Sequence, residues 1–294
     1  MSDLTTVEKL PDLPSRPDDA HKGTFGTVIV VGGSATMIGA PALCARAALR
    51  SGSGLVKIAS AGDVLAHALT IEPCATGVIL SGEAEAWRHG IDAADPDRKA
   101  VLAVGPGMGL ARGGGQKVLA LLHGNRPIVL DADGLNLLAR TGRPRPRPRG
   151  SGGAELVMTP HPGEFARLAK PLDITDCPTD PASRPQAAVK LALALHSVVL
   201  LKGRHTVVTD GQRLYVNQTG NPALATAGSG DVLTGLIASL IGQGLAAFDA
   251  AVLGTYVHGL AGDHWAKRHG RSGLRAADLT DELPAAFQRC RTGG

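Results

Sequence analysis

The chain has 294 residues, 44% hydrophobic and only 3% aromatic, with a formal net charge of +4. That length fits one large α/β domain or two small ones, with a core built from Leu, Val, Ile and Ala. No apolar run is long enough to cross a bilayer, and Arg143, Arg145, Arg147 and Arg149 account for the net charge, so neither a membrane nor a nucleic-acid partner is expected.

Residues 1–21 are polar, contain proline and show no clear period, which predicts a loosely ordered arm. They lack the basic and apolar regions of a secretory signal, so a cytoplasmic protein is expected. Thr27–Val31 then reads as a buried strand ending in Gly32-Gly33-Ser34, followed by an Ala- and Leu-rich helix over about Ala40–Ser51. Short apolar runs follow at Leu55–Ala59, Gly77–Leu80, Ala100–Val104, Pro127–Leu130, Glu155–Met158, Val198–Lys202 and His205–Thr209. Helical patterns lie between many of them, including Gly115–Leu122, Leu135–Arg140, Gly163–Ala169 and Gln186–Leu195. Residues 230–268 read as mainly helical. Strands alternating with helices predict an α/β fold with a mostly parallel sheet and helices on both faces. One domain is expected over 22–290, with the alternating Arg/Pro segment 142–152 as an extended loop. An anion-binding role is the other reading of that segment. Cys44, Cys74, Cys177 and Cys290 are far apart, so neither zinc nor a disulfide framework is indicated.

Several strands end in glycine-rich or polar turns, and in open α/β sheets ligands bind outside such strand ends. Gly105-Pro106-Gly107-Met108-Gly109 lets a ligand approach the backbone closely, or is simply a tight strand-to-helix turn. Asp131, Asp133 and Asn136 can position Mg²⁺ near phosphates, or cap the helix that follows. His161 sits between two prolines that stiffen its loop, with Glu164 three residues on. It can hydrogen-bond a substrate or serve loop packing. Lys202 ends an apolar strand, where it can meet a phosphate or snorkel to solvent.

The strongest single signal is Asn221 to Gly235. Small residues Ala227-Gly228-Ser229-Gly230 lead into Asp231 and then an apolar helical pattern. Free backbone N–H groups and a helix dipole converge there, which suits a phosphate. A carboxylate beside bound phosphate makes sense if Asp231 takes a proton from a hydroxyl that attacks the phosphoryl group. The other reading is a helix cap.

Seven segments, in order over about residues 22–265, together resemble the ADP- or ATP-dependent NAD(P)H-hydrate dehydratases of the ribokinase-like superfamily. They are K-G-T-F-G-T-V-I-V-V-G-G-S (22–34), G-A-P-A (39–42), V-G-P-G-M-G (104–109), L-D-A-D-G-L-N (130–136), M-T-P-H-P-G-E (158–164), L-K-G-R-H-T (201–206) and A-G-S-G-D-V-L-T-G (227–235). Ser229 stands where that family commonly has threonine and keeps the hydroxyl. The resemblance implies a ribokinase-like three-layer sandwich. It implies repair of the S epimer of NAD(P)H hydrate (NADHX and NADPHX) by phosphorylation of its hydroxyl and elimination of phosphate. Asp231 would be the base, and Gly228, Ser229 and Gly230 would stabilise the transferring group. Ala40, Gly107, Gly109, His161 and Asp231 would contact the hydrate. Lys202, Gly203, Arg204, His205, Thr206 and Gly230 would contact the nucleotide. Mg²⁺ would accompany ADP or ATP, with ADP favoured. No metal-binding residue is assigned. A homotetramer is implied, as is cooperation with a separate NAD(P)H-hydrate epimerase, the chain being too short to contain that domain. Two rival readings remain: a small-alcohol kinase of the hydroxymethylpyrimidine or hydroxyethylthiazole type, and a non-catalytic nucleotide-binding sensor.

Overall fold

In the computed structural model, residues 4–142 and 155–292 are described. Apart from Gly142, the Arg/Pro-rich segment 142–152 lies outside the described residues. The strands are β1 (Thr5–Thr6), β2 (Thr27–Val31), β3 (Leu55–Ser60), β4 (Thr76–Ile79), β5 (Val101–Val104), β6 (Ile128–Leu130), β7 (Leu156–Met158), β8 (Val198–Leu201), β9 (Val207–Thr209) and β10 (Arg213–Val216). All join one sheet in the order β1-β10-β9-β8-β7-β6-β5-β2-β3-β4. The β8–β9 and β9–β10 pairings are antiparallel and the rest are parallel.

The alternation of side chains along a strand divides the core in two. Val28 and Val30 join one buried cluster, and Ile29 and Val31 the other. The first cluster is closed by α1 (Gly39–Arg50), α2 (Gly62–Ile71), α8 (Ser229–Gly242), α9 (Ala247–His269) and α10 (Ala276–Thr292). The second is closed by α3 (Ala84–Ala94), α4 (Gly114–Leu122), α5 (Ala132–Arg140), α6 (Pro162–Ala169) and α7 (Arg184–Leu195). This is the expected three-layer sandwich. Strands such as Val28–Val31 are apolar throughout because both faces are covered. A Cβ on Gly235 would lie 2.0 Å from the Cys44 carbonyl oxygen, so only glycine lets α8 approach α1 this closely.

Chain order reverses between β2 and β5: β3 and β4 extend one way, β6 to β9 the other. A crevice forms where neighbouring connections diverge. Gly32-Gly33 and Gly105–Gly109 flank it, joined by a 2.9 Å bond from Gly33 N–H to the Pro106 carbonyl.

Two details depart from the sequence reading. The arm is tied down: Thr5 and Thr6 pair with Arg213 and Leu214, and Val7, Leu10 and Leu13 pack on the core. Its partner β10 is a short strand that no strong sequence signal announces. The strand expected from His205 starts at Val207, because Lys202–Thr206 folds as a turn closed by Thr206 Oγ1 donating to the Gly203 carbonyl at 2.9 Å.

Candidate active site

The first turn of α8 begins after Gly228, whose left-handed φ of 87° makes it the N-cap. Asp231 is therefore the third helical residue, and no side chain caps the helix. The cap reading of Asp231 fails on that geometry. The N–H groups of Gly230 and Asp231 have no protein acceptor among the described residues. They are free to meet an anion. The Asp231 carboxylate likewise has no hydrogen bond or ion pair among those residues. Burial first, then the negative charge of Asp131, pushes its pKa up to about 7, against the pull of Lys202. A base with that pKa suits proton abstraction near neutral pH.

Asp131 is held very differently. It is 1% exposed, and its Oδ1 lies 2.6 Å from the Lys202 ammonium. Thr234, one turn further along α8 than Gly230, donates its hydroxyl to Oδ2 at 2.8 Å, with the Gly230 carbonyl an alternative acceptor at 3.0 Å. Although Asp131 occupies the N-cap position of α5, its side chain makes no capping bond. Asp133 accepts from Gly109 N–H at 2.8 Å, and Asn136 accepts from Arg167 at 3.0 Å. All three residues are thus engaged by protein donors, and none of the three side chains caps α5. Among the described residues no group of three or more His, Cys, Asp or Glu could hold a metal ion. Between Asp131 and Asp133, Ala132 is forced to φ 50°, a strained conformation of the kind that clusters at functional sites.

Lys202 does not snorkel. Its ammonium is turned inward, and a Cβ on Gly230 would lie 3.3 Å from it. Burial alone would lower its pKa, but Asp131, Glu164 and Asp231 together raise it, so it stays charged. A 2.8 Å bond from Lys202 N–H to the Pro160 carbonyl joins its turn to that of His161.

His161 caps α6. Its Nδ1 accepts from Gly163 N–H at 3.0 Å, and Glu164 Oε2 accepts the His161 N–H at 2.8 Å, a reciprocal capping box ahead of Pro162. Burial first, then Lys202 and Arg167, lowers the His161 pKa. With Nδ1 accepting, the neutral ring carries its proton on Nε2, which lies 3.4 Å from Glu164 Oε1. Glu164 is buried and pushed up to about 7. Loop packing and an exposed, oriented imidazole therefore coexist in one residue.

Ala40 and Gly107 meet at the crevice. A Cβ on Gly107, whose φ is 61°, would lie 2.9 Å from the Ala40 Cβ and 2.7 Å from the Met37 carbonyl oxygen. Gly109 faces Ser34 across the same crevice. On the other side of the α8 terminus lies a cavity of about 720 Å³, lined by Lys202–Thr206, Ser229 and Gly230. All six residues expected at the nucleotide thus border one space. Two neighbours escape sequence reasoning. His258, inside α9, lies 2.9 Å through Nε2 from the Ser229 carbonyl, and burial lowers its pKa to about 4. Thr234 is a helix-interior residue. Neither lies in a turn, and only the fold brings them to the site.

The model of the NAD(P)H-hydrate dehydratases matches residues 28–285. The chain belongs to this family. It is 44% identical over 289 residues to a bifunctional NAD(P)H-hydrate repair enzyme of Moorella thermoacetica, covering 96% of this chain and 53% of that protein. It is 39% identical over 288 residues to an ADP-dependent (S)-NAD(P)H-hydrate dehydratase of Neisseria meningitidis, covering 96% of this chain and 91% of the relative. The chain spans about half the length of the bifunctional relatives. A Bacillus subtilis ADP/ATP-dependent NAD(P)H-hydrate dehydratase, crystallised with ATP and Mg²⁺, superposes with a TM-score of 0.77 at 31% identity over 94% of each chain. A ribokinase-like superfamily protein of Enterococcus faecalis shares the fold, with a TM-score of 0.76 at 24% identity over 94% of this chain and 92% of that one. No described helix is long and apolar enough to cross a membrane.

Proposed function

We propose that the protein dehydrates the S epimer of NAD(P)H hydrate to NAD(P)H, coupled to hydrolysis of ADP or ATP. One observation carries this reading: a half-buried carboxylate, Asp231, with no partner among the described residues, stands in the same helical turn as N–H groups that have no acceptor among those residues. A nucleotide sensor would gain from the N–H groups, but a carboxylate there would repel its phosphates. A phosphoryl-transfer enzyme uses both.

Asp231 removes the proton of the hydrate hydroxyl, and the oxygen attacks the terminal phosphorus of the nucleotide. The bond from phosphorus to the bridging oxygen breaks, releasing AMP from ADP or ADP from ATP. The N–H groups of Gly228 and Gly230, with the Lys202 ammonium, offset the charge on the moving phosphoryl group, whereas the Ser229 N–H, expected to join them, is already donated to the Thr226 carbonyl at 3.4 Å. The ring nitrogen lone pair then expels phosphate from the adjacent carbon, and loss of a proton from the next carbon restores the ring double bond. Ala40, Gly107, Gly109 and His161 position the hydrate; Lys202 to Thr206 and Gly230 hold the nucleotide. Among the described residues no acidic cluster forms a cage for Mg²⁺, which would accompany the nucleotide phosphates and supply charge neutralisation. ADP is the favoured donor, supported by the name of the Neisseria relative. The reading includes a cytoplasmic homotetramer and cooperation with a separate epimerase; the bifunctional names of relatives about twice as long support the cooperation alone.

Return of NADH absorbance from chemically prepared NADH hydrate, with Mg²⁺ and ADP or ATP, tests the reading. Nucleotide-dependent return with matching phosphate release is expected. Bound nucleotide with no return would overturn it and direct the search to small-alcohol kinase activity.

A further inference from the structure

A strip of hydrogen bonds runs along α5 and joins the two turns that border the hydrate side of the crevice. Arg140 Nη1 donates to the Leu110 carbonyl at 3.2 Å, at the end of the Gly105–Gly109 turn. One helical turn back on the same face of α5, Asn136 Oδ1 accepts from Arg167 Nη1 at 3.0 Å. Arg167 belongs to α6, the helix that His161 caps, and its guanidinium lies 3.9 Å from a Cβ built on Gly163. Asp133 shares this face of α5, but its carboxylate is occupied by Gly109 N–H.

Neither Arg140 nor Arg167 forms an ion pair within 4 Å of a carboxylate among the described residues, although the Arg167 charge is felt by Glu164. Both side chains are exposed. Arginines away from the crevice are commonly paired, as Arg46 is with Glu72, Arg50 with Asp281 and Arg268 with Glu282. Two guanidiniums with donors to spare therefore stand on one face, beside the place where the reacting ring is held. A guanidinium offers a fork of N–H donors matched to phosphate oxygens. The hydrate is a dinucleotide, and its diphosphate must lie somewhere outside the ring pocket.

We propose that Arg140 and Arg167 form the subsite for the diphosphate of the dinucleotide hydrate, on the α5 strip between Leu110 and His161. The proposal rests on the hydrate reading above and adds to it a specificity device. The enzyme selects a phosphate-bearing nicotinamide nucleotide hydrate over the bare nicotinamide riboside hydrate through these two side chains. They are binding residues and take no part in proton transfer. The nucleotide co-substrate lies on the other side of the α8 terminus, so its affinity is independent of them.

The test is the Arg140→Met/Arg167→Met double variant, assayed with NADH hydrate and with the hydrate of dihydronicotinamide riboside, which has no phosphate. The expected result is a rise of roughly tenfold or more in KM for NADH hydrate, with kcat and the KM for ADP little changed. Riboside hydrate should be turned over equally by variant and wild type. The double Arg→Lys variant should recover part of the loss, since it keeps the charge and loses the fork. Equal loss on both substrates would mean that the strip only props the turns, and no loss on either would mean that it binds nothing; each result overturns the proposal. NADH binding by fluorescence titration gives a second readout that needs no turnover. The double variant should bind NADH roughly tenfold more weakly than wild type, and the wild-type affinity should fall with added salt. If wild type turns over no hydrate but still binds NADH through these arginines, the hydrate reading fails and the subsite stands.

Discussion

Asp131 and Asp231 meet at the same point of the fold, and the protein treats them in opposite ways. Asp131, at the end of β6, is paired with Lys202 and bonded by Thr234. Asp231, in the first turn of α8, has no hydrogen bond or ion pair among the described residues, and the neighbouring Asp131 charge raises its pKa further. The same functional group is thus a fixed counter-ion in one turn and a poised base in the other. Burial makes a paired carboxylate structural and an unpaired one reactive.

Three substitutions would break or sharpen that contrast. Asp231→Asn should have the largest effect, lowering turnover of NADH hydrate by about 10²–10⁴-fold while ADP affinity stays within a few-fold. Steady-state kinetics beside calorimetric titration of ADP checks both halves. The same variant should be more stable than wild type at pH 8. The folded carboxyl holds its proton up to about pH 7, whereas an unfolded aspartate ionises near its ordinary value of 3.8. Wild type therefore loses stability as pH rises through that window, and the uncharged amide does not. A gain of roughly 1–3 kcal/mol at pH 8, read from denaturant unfolding, is expected.

Asp131→Asn comes next. It leaves the Lys202 ammonium buried without its closest counter-charge, a loss of about 3 kcal/mol in stability. Turnover should fall by about 100-fold as Lys202 and Gly230 lose their common anchor. His258→Ala is the mildest. It frees the Ser229 carbonyl at the back of the phosphate turn, so the nucleotide KM should rise several-fold with the hydrate KM unchanged. The stability cost is about 1 kcal/mol, measurable by thermal unfolding.

Much of this was legible in the chain itself, for reasons that differ by element. The strand Thr27–Val31 is apolar throughout because it is covered on both faces, so its boundaries match the observed β2. The glycine-rich turns were readable because close approach and left-handed backbone demand glycine, as at Gly107. The resemblance to one family named the residues around the crevice as a set. What stayed hidden was long-range pairing. Nothing in the sequence near Asp131 announces Thr234, which reaches it from 103 positions away. The inward position of Lys202 follows from the same pair. His258 sits in a helix whose pattern signals only burial. The docked arm was hidden too, because a two-residue strand carries no period.

The pH dependence of kcat/KM for NADH hydrate tests the central claim most directly. If Asp231 is the base, activity should be flat above pH 8 and should fall tenfold per unit below an apparent pKa of about 7. Glu164 is also raised to about 7, but among the described residues its side chain bonds to His161 alone, so Glu164→Gln should keep that limb. A profile that stays flat down to pH 5, or a limb that vanishes in Glu164→Gln, would contradict the assignment of Asp231 as the proton acceptor.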